Sequence, residues 1–198
     1  RANLQKKKMI HEVIVTTVDE DNRVHIAPMG IKFIDHESQE CVQISPFKPS
    51  QTLDNLIKTK KATINYIDDV KVFAGIVTGK KKKWDLNHQP EDEVAHLSNT
   101  NSFMNLKVLS ILEDELRPKI ICNIQNTQNL RPFMGFNRAQ FSVIELAVLS
   151  TRLGMIDDEK VKREYEYLKI GIDKTAGERE KQAWSWIEDK INGYFKND

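Results

Sequence analysis

Val24-His-Ile-Ala-Pro-Met-Gly-Ile-Lys-Phe-Ile34 is the stretch of sequence that decides the fold. It follows a run of β-branched residues, Val13–Val18, and a polar turn, Asp19–Arg23, so the sequence predicts a β-hairpin. Pro28 and Gly30 interrupt the second strand of this hairpin, because proline donates no ladder hydrogen bond and glycine weakens a strand. The pattern favours a β-bulge at a barrel corner. The alternative is a break that frees backbone groups to face a planar ligand.

The chain around this hairpin reads as further strands with one clear helix. Leu53, Leu56 and Ile57 share one face of a predicted helix over 51–60, for which Ser50 is a suitable N-cap. The apolar run 70–78 fits either a strand or a short helix, and a polar loop is predicted from Lys80 to about Asn101. The other predicted strands are Cys41–Ser45, Ala62–Ile67, Phe103–Glu115 and Lys119–Ile124.

The last third of the chain has helical periodicity. A mostly apolar helix is predicted over 139–153, with Gly154 as its C-terminal stop. Val161 to Ile172 gives a second helix, and a T-x-x-E capping box at Thr175 and Glu178 opens a third. The fold class is therefore α+β, a β-barrel followed by a helical module. The predicted division is an extension over 1–8, the barrel domain over 9–135 and the helical region over 136–198.

Composition and charge exclude several classes of function. The net charge of +1 gives no clustered positive excess for nucleic acid. No run approaches the ~20 apolar residues of a membrane helix, and no apolar signal region follows the basic start, so we expect a cytoplasmic protein without a membrane partner. The five histidines show no HxH or HExxH spacing, so no metal site is expected.

Two stretches carry groups that suit a ligand. The start of the helix after Pro49 offers unpaired N–H groups, the hydroxyls of Ser50 and Thr52 and the cation of Lys48, which suit a phosphate. A simple N-cap is the alternative, and the spacing alone favours it.

The second stretch is the start of the apolar helix. Arg138 and Arg152 lie two turns either side of Glu145, so a buried ion-pair cluster is predicted. The alternative is that Asn137 and Arg138 reach a ligand.

Three motifs in this order resemble one known family. They are IHEVIVTTVDEDNRVHIAPMGIKF from Ile10, SPFKPSQTLDNLIKTKKATINYIDD from Ser45, and FNRAQFSVIELAVLSTRL from Phe136. Together they resemble the flavin-binding split barrels, the superfamily of flavin reductases and pyridoxamine-phosphate oxidases. Within it the chain is most similar to the uncharacterised family called domain of unknown function 447.

The resemblance implies a split β-barrel with a C-terminal helical region that binds flavin mononucleotide (FMN) and forms a homodimer. Carried over position by position, it places residues 27–30 beside the flavin ring and residues 50–52 at the phosphate. Asn65 and Asp69 would lie near the ring or the ribityl chain, and Asn137 and Arg138 would complete the pocket, in one version from the second subunit. The implied cofactor-binding residues are His25, Ala27, Pro28, Met29, Gly30, Ser50, Gln51, Thr52, Asn65, Asp69, Asn137 and Arg138.

The resemblance implies flavin chemistry but supplies no substrate and no acid or base. The first hypothesis is an FMN-dependent oxidoreductase that passes hydride or electrons from a nicotinamide donor to a small molecule. Two alternatives stay open. One is a non-catalytic flavin- or nucleotide-binding module. The other is a split barrel with another cofactor, such as a deazaflavin or haem.

Overall fold

The computed structural model describes residues 9–90 and 92–196, which form two compact units. Of the described residues, the first unit holds 9–67, 85–90 and 92–132, and the second holds 68–84 and 133–196. The sequence predicted one continuous barrel domain over 9–135, whereas in the structure the segment 68–84 belongs to the helical unit. The predicted extension over 1–8 lies outside the described residues.

Six strands of the first unit form a closed antiparallel barrel in the order β1-β2-β3-β8-β7-β4. A separate two-stranded sheet, β5-β6, belongs to the same unit. The strands are β1 His11–Val18, β2 Val24–His36, β3 Gln39–Ile44, β4 Lys61–Tyr66, β5 Leu86–Asn87, β6 His96–Leu97, β7 Ser102–Leu112 and β8 Lys119–Asn129.

The barrel interior is filled by alternate residues of its strands. Val13 and Val15 of β1 and Ile64 of β4 point inward with the facing residues of the other strands. Helix α1, Gln51–Thr59, adds Leu53 and Leu56 to the same core. The predicted helix with its apolar face is therefore confirmed, and its burial against the barrel fixes where its first turn lies.

Strand β2 is continuous, so both the predicted break and the predicted bulge at Pro28 are wrong. Pro28 pairs with Ile14 in a register that runs without a shift from His11 to Val18. The pairing of β2 with β3 begins only at Ile31, so Val24–Gly30 pair with β1 alone. Proline is tolerated here because the first half of β2 has an open edge that needs no ladder hydrogen bond.

The segment predicted as a polar loop is partly buried. Strands β5 and β6 form a small sheet within it, and Val94 to Leu97 are buried. The main chain of this segment satisfies polar side chains of the barrel. The Thr16 hydroxyl donates to the Ala95 carbonyl at 2.7 Å, and the Thr63 hydroxyl donates to the Val94 carbonyl at 2.8 Å.

The second unit consists of helices, which confirms the predicted helical module. The apolar run 70–78 is a helix, and a shared core joins the four helices through residues such as Val143, Val161 and Ile187. In residues 9–90 and 92–196, no helix has the length and apolar character that crossing a bilayer requires. The helices are α2 Lys71–Thr78, α3 Arg138–Ser150, α4 Asp158–Thr175 and α5 Glu178–Lys196.

Two predicted helix ends differ from the structure. Helix α3 ends at Ser150, four residues before Gly154, which adopts a positive φ of 78° after an intervening turn. The predicted capping box is wrong because Thr175 is the last residue of α4. Its hydroxyl donates to the Gly171 carbonyl and accepts from the Ala139 N–H at 3.0 Å, so it joins α4 to the start of α3.

Helices α3 and α4 approach closely at Gly171. A Cβ atom there would lie 2.7 Å from the Ser142 hydroxyl, which donates to the Leu168 carbonyl. We expect Gly171→Ala to lower the free energy of unfolding by about 1–3 kcal/mol, because overpacking would displace that hydroxyl. Urea titration followed by tryptophan fluorescence checks this, since all three tryptophans belong to the helical unit.

Gly193→Ala is the matched control, because a Cβ atom at Gly193 has no neighbour within 4 Å. Helix propensity predicts a gain of up to ~1 kcal/mol for it. Equal effects of the two substitutions would contradict the close approach at Gly171.

Candidate functional site

The first turn of α1 leaves backbone donors unused. Ser50 is the N-cap, as predicted: its φ of −154° is extended and its hydroxyl accepts from the Leu53 N–H at 3.1 Å. The Asp54 N–H donates to the Ser50 carbonyl. Since the first N–H groups of a helix have no partner inside it, the N–H groups of Gln51 and Thr52 remain available.

The Thr52 side chain adds a further donor at the same helix start. Thr52 is 1% exposed, and its hydroxyl has no hydrogen-bond partner among the described residues. Leaving a buried hydroxyl unpaired costs roughly 1–3 kcal/mol, so a native chain keeps one there only for a reason. A hydroxyl beside free N–H groups at a helix N-terminus suits an anionic oxygen.

The predicted cation of this site is already engaged elsewhere. Lys48 pairs through its ammonium group with the Glu113 carboxylate at 3.4 Å, and its N–H donates to the Leu116 carbonyl. The donors at the start of α1 are therefore neutral groups and the helix dipole.

A cleft of about 420 Å³ lies beside the same helix and the β1–β2 hairpin. Two of the predicted site residues, His25 and Gln51, line it together. The Gln51 amide donates to the Asn55 side chain at 2.8 Å, and the Asn55 amide donates to the Thr17 hydroxyl at 3.0 Å. Burial lowers the pKa of His25, which favours its neutral form. Asp19, Glu20, Asp21, Arg23, Val24, Asn55 and Lys58 complete the lining.

The predicted ring-binding stretch lies on the open-edged half of β2. Ala27 pairs with Val15 and Gly30 with Glu12, and all four residues 27–30 are half-buried. The Met29 side chain packs against the barrel core. What this stretch can offer a ligand is therefore chiefly its backbone edge.

Asn65 has protein partners for both ends of its amide. It is fully buried, and its nitrogen donates to the Ile14 carbonyl and the Thr16 hydroxyl, both at 3.2 Å. Its oxygen accepts from the Leu97 N–H at 2.7 Å. Asn65 therefore ties the segment before β7 to the closing strands of the barrel.

Three predicted site residues belong to the helical unit. Asp69 accepts from the Lys71 N–H at 3.1 Å at the start of α2. Asn137 is the N-cap of α3: its oxygen accepts from the Gln140 N–H and its nitrogen donates to the Thr175 carbonyl, both at 3.1 Å. Arg138, the first residue of α3, is exposed.

The predicted buried ion-pair cluster of α3 is wrong. Glu145 is exposed, and Arg152 is also exposed. The apolar residues beside Glu145 face the helical core while Glu145 itself faces outward, so no buried carboxylate needs the two arginines. The sequence predicted the wrong face because α3 is apolar over most of its surface.

A buried His–Asp pair was missed by sequence reasoning. His96 Nδ1 lies 3.5 Å from Asp92 Oδ2, and both side chains are almost fully buried. The His96 ring stacks on Phe103 at 4.0 Å between centroids. Burial lowers the pKa of His96, and the Asp92 carboxylate opposes that shift. The only sequence signal was one histidine and one aspartate in a polar stretch. Residues 9–90 and 92–196 contain no cluster of three or more His, Cys, Asp or Glu that could hold a metal ion.

The fold defines a class: an α+β protein with a closed antiparallel barrel and a C-terminal helical region. Two family models match, "Protein of unknown function (DUF447) N-terminal domain" over residues 11–131 and "Protein of unknown function (DUF447)" over residues 137–189. The chain therefore belongs to the DUF447 family, which confirms the resemblance. A comparison with curated proteins gives no match.

Solved structures share the fold. The FMN-bound protein MM1853 from Methanosarcina mazei, also of DUF447, has a TM-score of 0.76 and 20% identity over 93% of this chain and 96% of that one. The 2-nitrobenzoate 2-nitroreductase NbaA from Pseudomonas fluorescens has a TM-score of 0.53 and 15% identity, over 65% of this chain and 70% of that one. An FMN-binding protein from Thermus thermophilus has a TM-score of 0.51 and 11% identity, over 63% of this chain and 73% of that one. The split-barrel fold is confirmed.

The buried state of His96 predicts a dependence of stability on pH. Because burial lowers its pKa in the folded protein, the unfolded chain binds the proton first as the pH falls through the ordinary histidine value of ~6.5. Stability should therefore fall on acidification and level off once folded His96 is protonated. We expect calorimetric melting temperatures to show a smaller loss in His96→Gln than in the wild type.

His36→Gln is the matched control for this experiment, because His36 lies at the end of β2 and is not among the groups that act on His96. Its melting temperature should fall on acidification as much as that of the wild type. His25, whose pKa burial also lowers, contributes in all three proteins, so the difference isolates His96. If the melting temperature of His96→Gln falls as much as that of the wild type, His96 does not cause the pH dependence.

Proposed function

We propose that this protein is an FMN-binding flavoprotein that holds the FMN phosphate at the start of α1. The observation that carries the proposal is the buried Thr52 hydroxyl, which has no partner among the described residues beside the unused N–H groups of Gln51 and Thr52. A phosphate oxygen would satisfy all three donors. The FMN-bound relative of the same family and the FMN-binding neighbours support the choice of ligand.

The remaining predicted residues fit the rest of such a ligand. The open backbone edge of Ala27–Gly30 offers backbone groups for a flavin ring. Gln51 and His25 line the cleft beside α1 and the β1–β2 hairpin. Asn65, Asp69, Asn137 and Arg138 stay predictions as ligand contacts, since the first three already bond to protein groups.

We further propose an oxidoreductase role, with a nicotinamide donor and a small acceptor. Bound FMN supplies hydride or electron transfer, while the chain's own residues bind and orient it. Support comes from neighbours named as a nitroreductase and as the flavin reductase PheA2. Neutral His25 in the cleft is the titratable residue that we propose to place near the substrate.

The test of FMN binding is Thr52→Val, which removes the hydroxyl and keeps the side-chain volume. We expect FMN affinity, measured by quenching of flavin fluorescence and by the visible spectrum, to fall about ten- to hundred-fold, because a hydrogen bond to a charged group is lost. Riboflavin, which has no phosphate, should bind both proteins equally. Thr52→Glu should abolish FMN binding through like-charge repulsion.

Stability without ligand separates this role from a structural one. Removing an unpaired buried hydroxyl should leave the melting temperature of the flavin-free protein unchanged or higher. A lower melting temperature with unchanged FMN affinity would place the phosphate elsewhere. A colourless wild-type protein that fails to bind excess FMN would overturn the proposal.

We also propose a homodimer in which the segment Phe133–Phe136 contacts the second copy. Phe136 is fully exposed, and Phe133 and Met134 are 70% and 80% exposed. Three large apolar side chains within four residues are typical of an interaction surface. Light scattering should show a dimer for the wild type and a weakened dimer for Phe136→Ser. Tyr167→Ser, which alters a tyrosine of the same unit that is 69% exposed, should remain dimeric. A dimer that persists unchanged in Phe136→Ser would refute this contact.

A further inference from the structure

The barrel strands β7 and β8 have a β-bulge in their pairing. Asn105 pairs with Asn126 and Leu106 with Ile124, so Gln125 is an extra residue in β8 with no partner across the ladder. A groove of about 470 Å³ lies at this point, with Glu93 and Val94 of the preceding segment on its other side. Bulges often re-aim side chains next to binding sites, and the groove has the size of a small-molecule site. We call it the amide groove.

The side chains of the amide groove are unusual for a strand. Strand β8 carries two glutamines, Gln125 and Gln128, and three asparagines, Asn123, Asn126 and Asn129, among its 11 residues. Asparagine in particular is depleted in strands, because its side chain competes for backbone hydrogen bonds. Barrel packing does not explain the run, since the inward positions of β8 are taken by residues such as Ile120 and Cys122.

A chain of hydrogen bonds fixes which way one of these amides faces. The Asn126 nitrogen donates to the Asn105 oxygen at 3.4 Å, and the Asn105 nitrogen donates to the Thr63 hydroxyl at 2.9 Å. The Thr63 hydroxyl in turn donates to the Val94 carbonyl. Because one hydrogen of its nitrogen is used in this series of bonds, the Asn126 amide is oriented, and its oxygen has no donor among the described residues.

The neighbouring amide is fixed in the opposite sense. The Gln128 oxygen accepts from the Gln89 nitrogen at 2.9 Å, which leaves the Gln128 nitrogen as a free donor. Residues two apart in a strand share a face, so this donor and the Asn126 acceptor lie side by side. The amide groove therefore presents one acceptor and one donor of known orientation.

The rest of the lining indicates an uncharged ligand. Ala62, Val94 and Leu106 border the groove, but their side chains are buried, and those of Ala62 and Leu106 pack in the barrel core. The only charged lining residues are Glu93 and Lys107, which are exposed and opposite in sign, so neither sign of ligand charge is favoured. None of the lining residues belongs to the cleft beside α1.

We propose that the amide groove is a second binding site, for an uncharged planar heterocycle whose edge carries both an N–H donor and a C=O acceptor, as in a carboxamide or a lactam. Asn and Gln side chains recognise such edges by paired donor and acceptor contacts. The proposal is independent of FMN binding.

The experiment is a titration of the full chain with nicotinamide and with 2-pyridone, observed through the side-chain amide signals in ¹H–¹⁵N spectra. We expect at least one probe to shift the signals of Asn105, Asn126 and Gln128, and to do so equally with and without saturating FMN. Nicotinate should bind at least about ten-fold more weakly than nicotinamide, because its carboxylate has no donor for the Asn126 oxygen.

Asn126→Ala should weaken binding of the active probe about ten-fold, since one hydrogen bond is lost. Asn129→Ala is the matched control. This asparagine is exposed, lies three residues beyond Asn126 and is outside the groove lining, so its loss should change nothing. The proposal is overturned if neither probe shifts these amides at tens of millimolar, if Asn126→Ala binds the probe as tightly as the wild type, or if FMN displaces the probe from the same signals.

Discussion

Buried polar side chains on β1 and β4, the two strands whose pairing closes the barrel, constrain the rest of the barrel unit. Pairing of β1 with β4 places Thr16, Thr63 and Asn65 together, and all three are fully buried. A buried hydroxyl or amide without a partner costs about 1–3 kcal/mol, so each of these groups requires one. The main chain of Val94–Leu97 supplies partners to all three. That segment therefore supplies part of the hydrogen bonding of the buried polar groups on β1 and β4.

This constraint makes the orphaned hydroxyl at Thr52 informative. The same unit satisfies three buried polar side chains where β1 pairs with β4. It leaves the Thr52 hydroxyl, at 1% exposure, without a partner among the described residues, as it also leaves the Ser110 hydroxyl and Nδ1 of His96. A valine at position 52 would remove the unpaired hydroxyl and keep the side-chain volume. The hydroxyl is instead retained where two helix N–H groups are also free, which is the argument for a ligand rather than for packing.

The sequence predicted those features that depend on local patterns. The helix at 51–59, its Ser50 cap and the helical last third follow from spacing and capping chemistry. Features that depend on distant partners were missed or wrong. Thr175 looked like a cap for the helix after it, but its hydroxyl accepts from Ala139 far back in the chain. The burial of His96 also depends on strands that it meets only in the fold.

Pro28 shows why a correctly identified sequence signal led to a wrong prediction for β2. Pro28 does signal a lost ladder bond, but a proline fits an unbroken pairing when its nitrogen points away from the paired strand. Since β2 pairs with β3 only from Ile31, that nitrogen points to an open edge. An open edge invites pairing with another chain, and proline blocks it by removing a donor. Pro28 thus removes a donor from the open edge of Val24–Gly30 without breaking the strand.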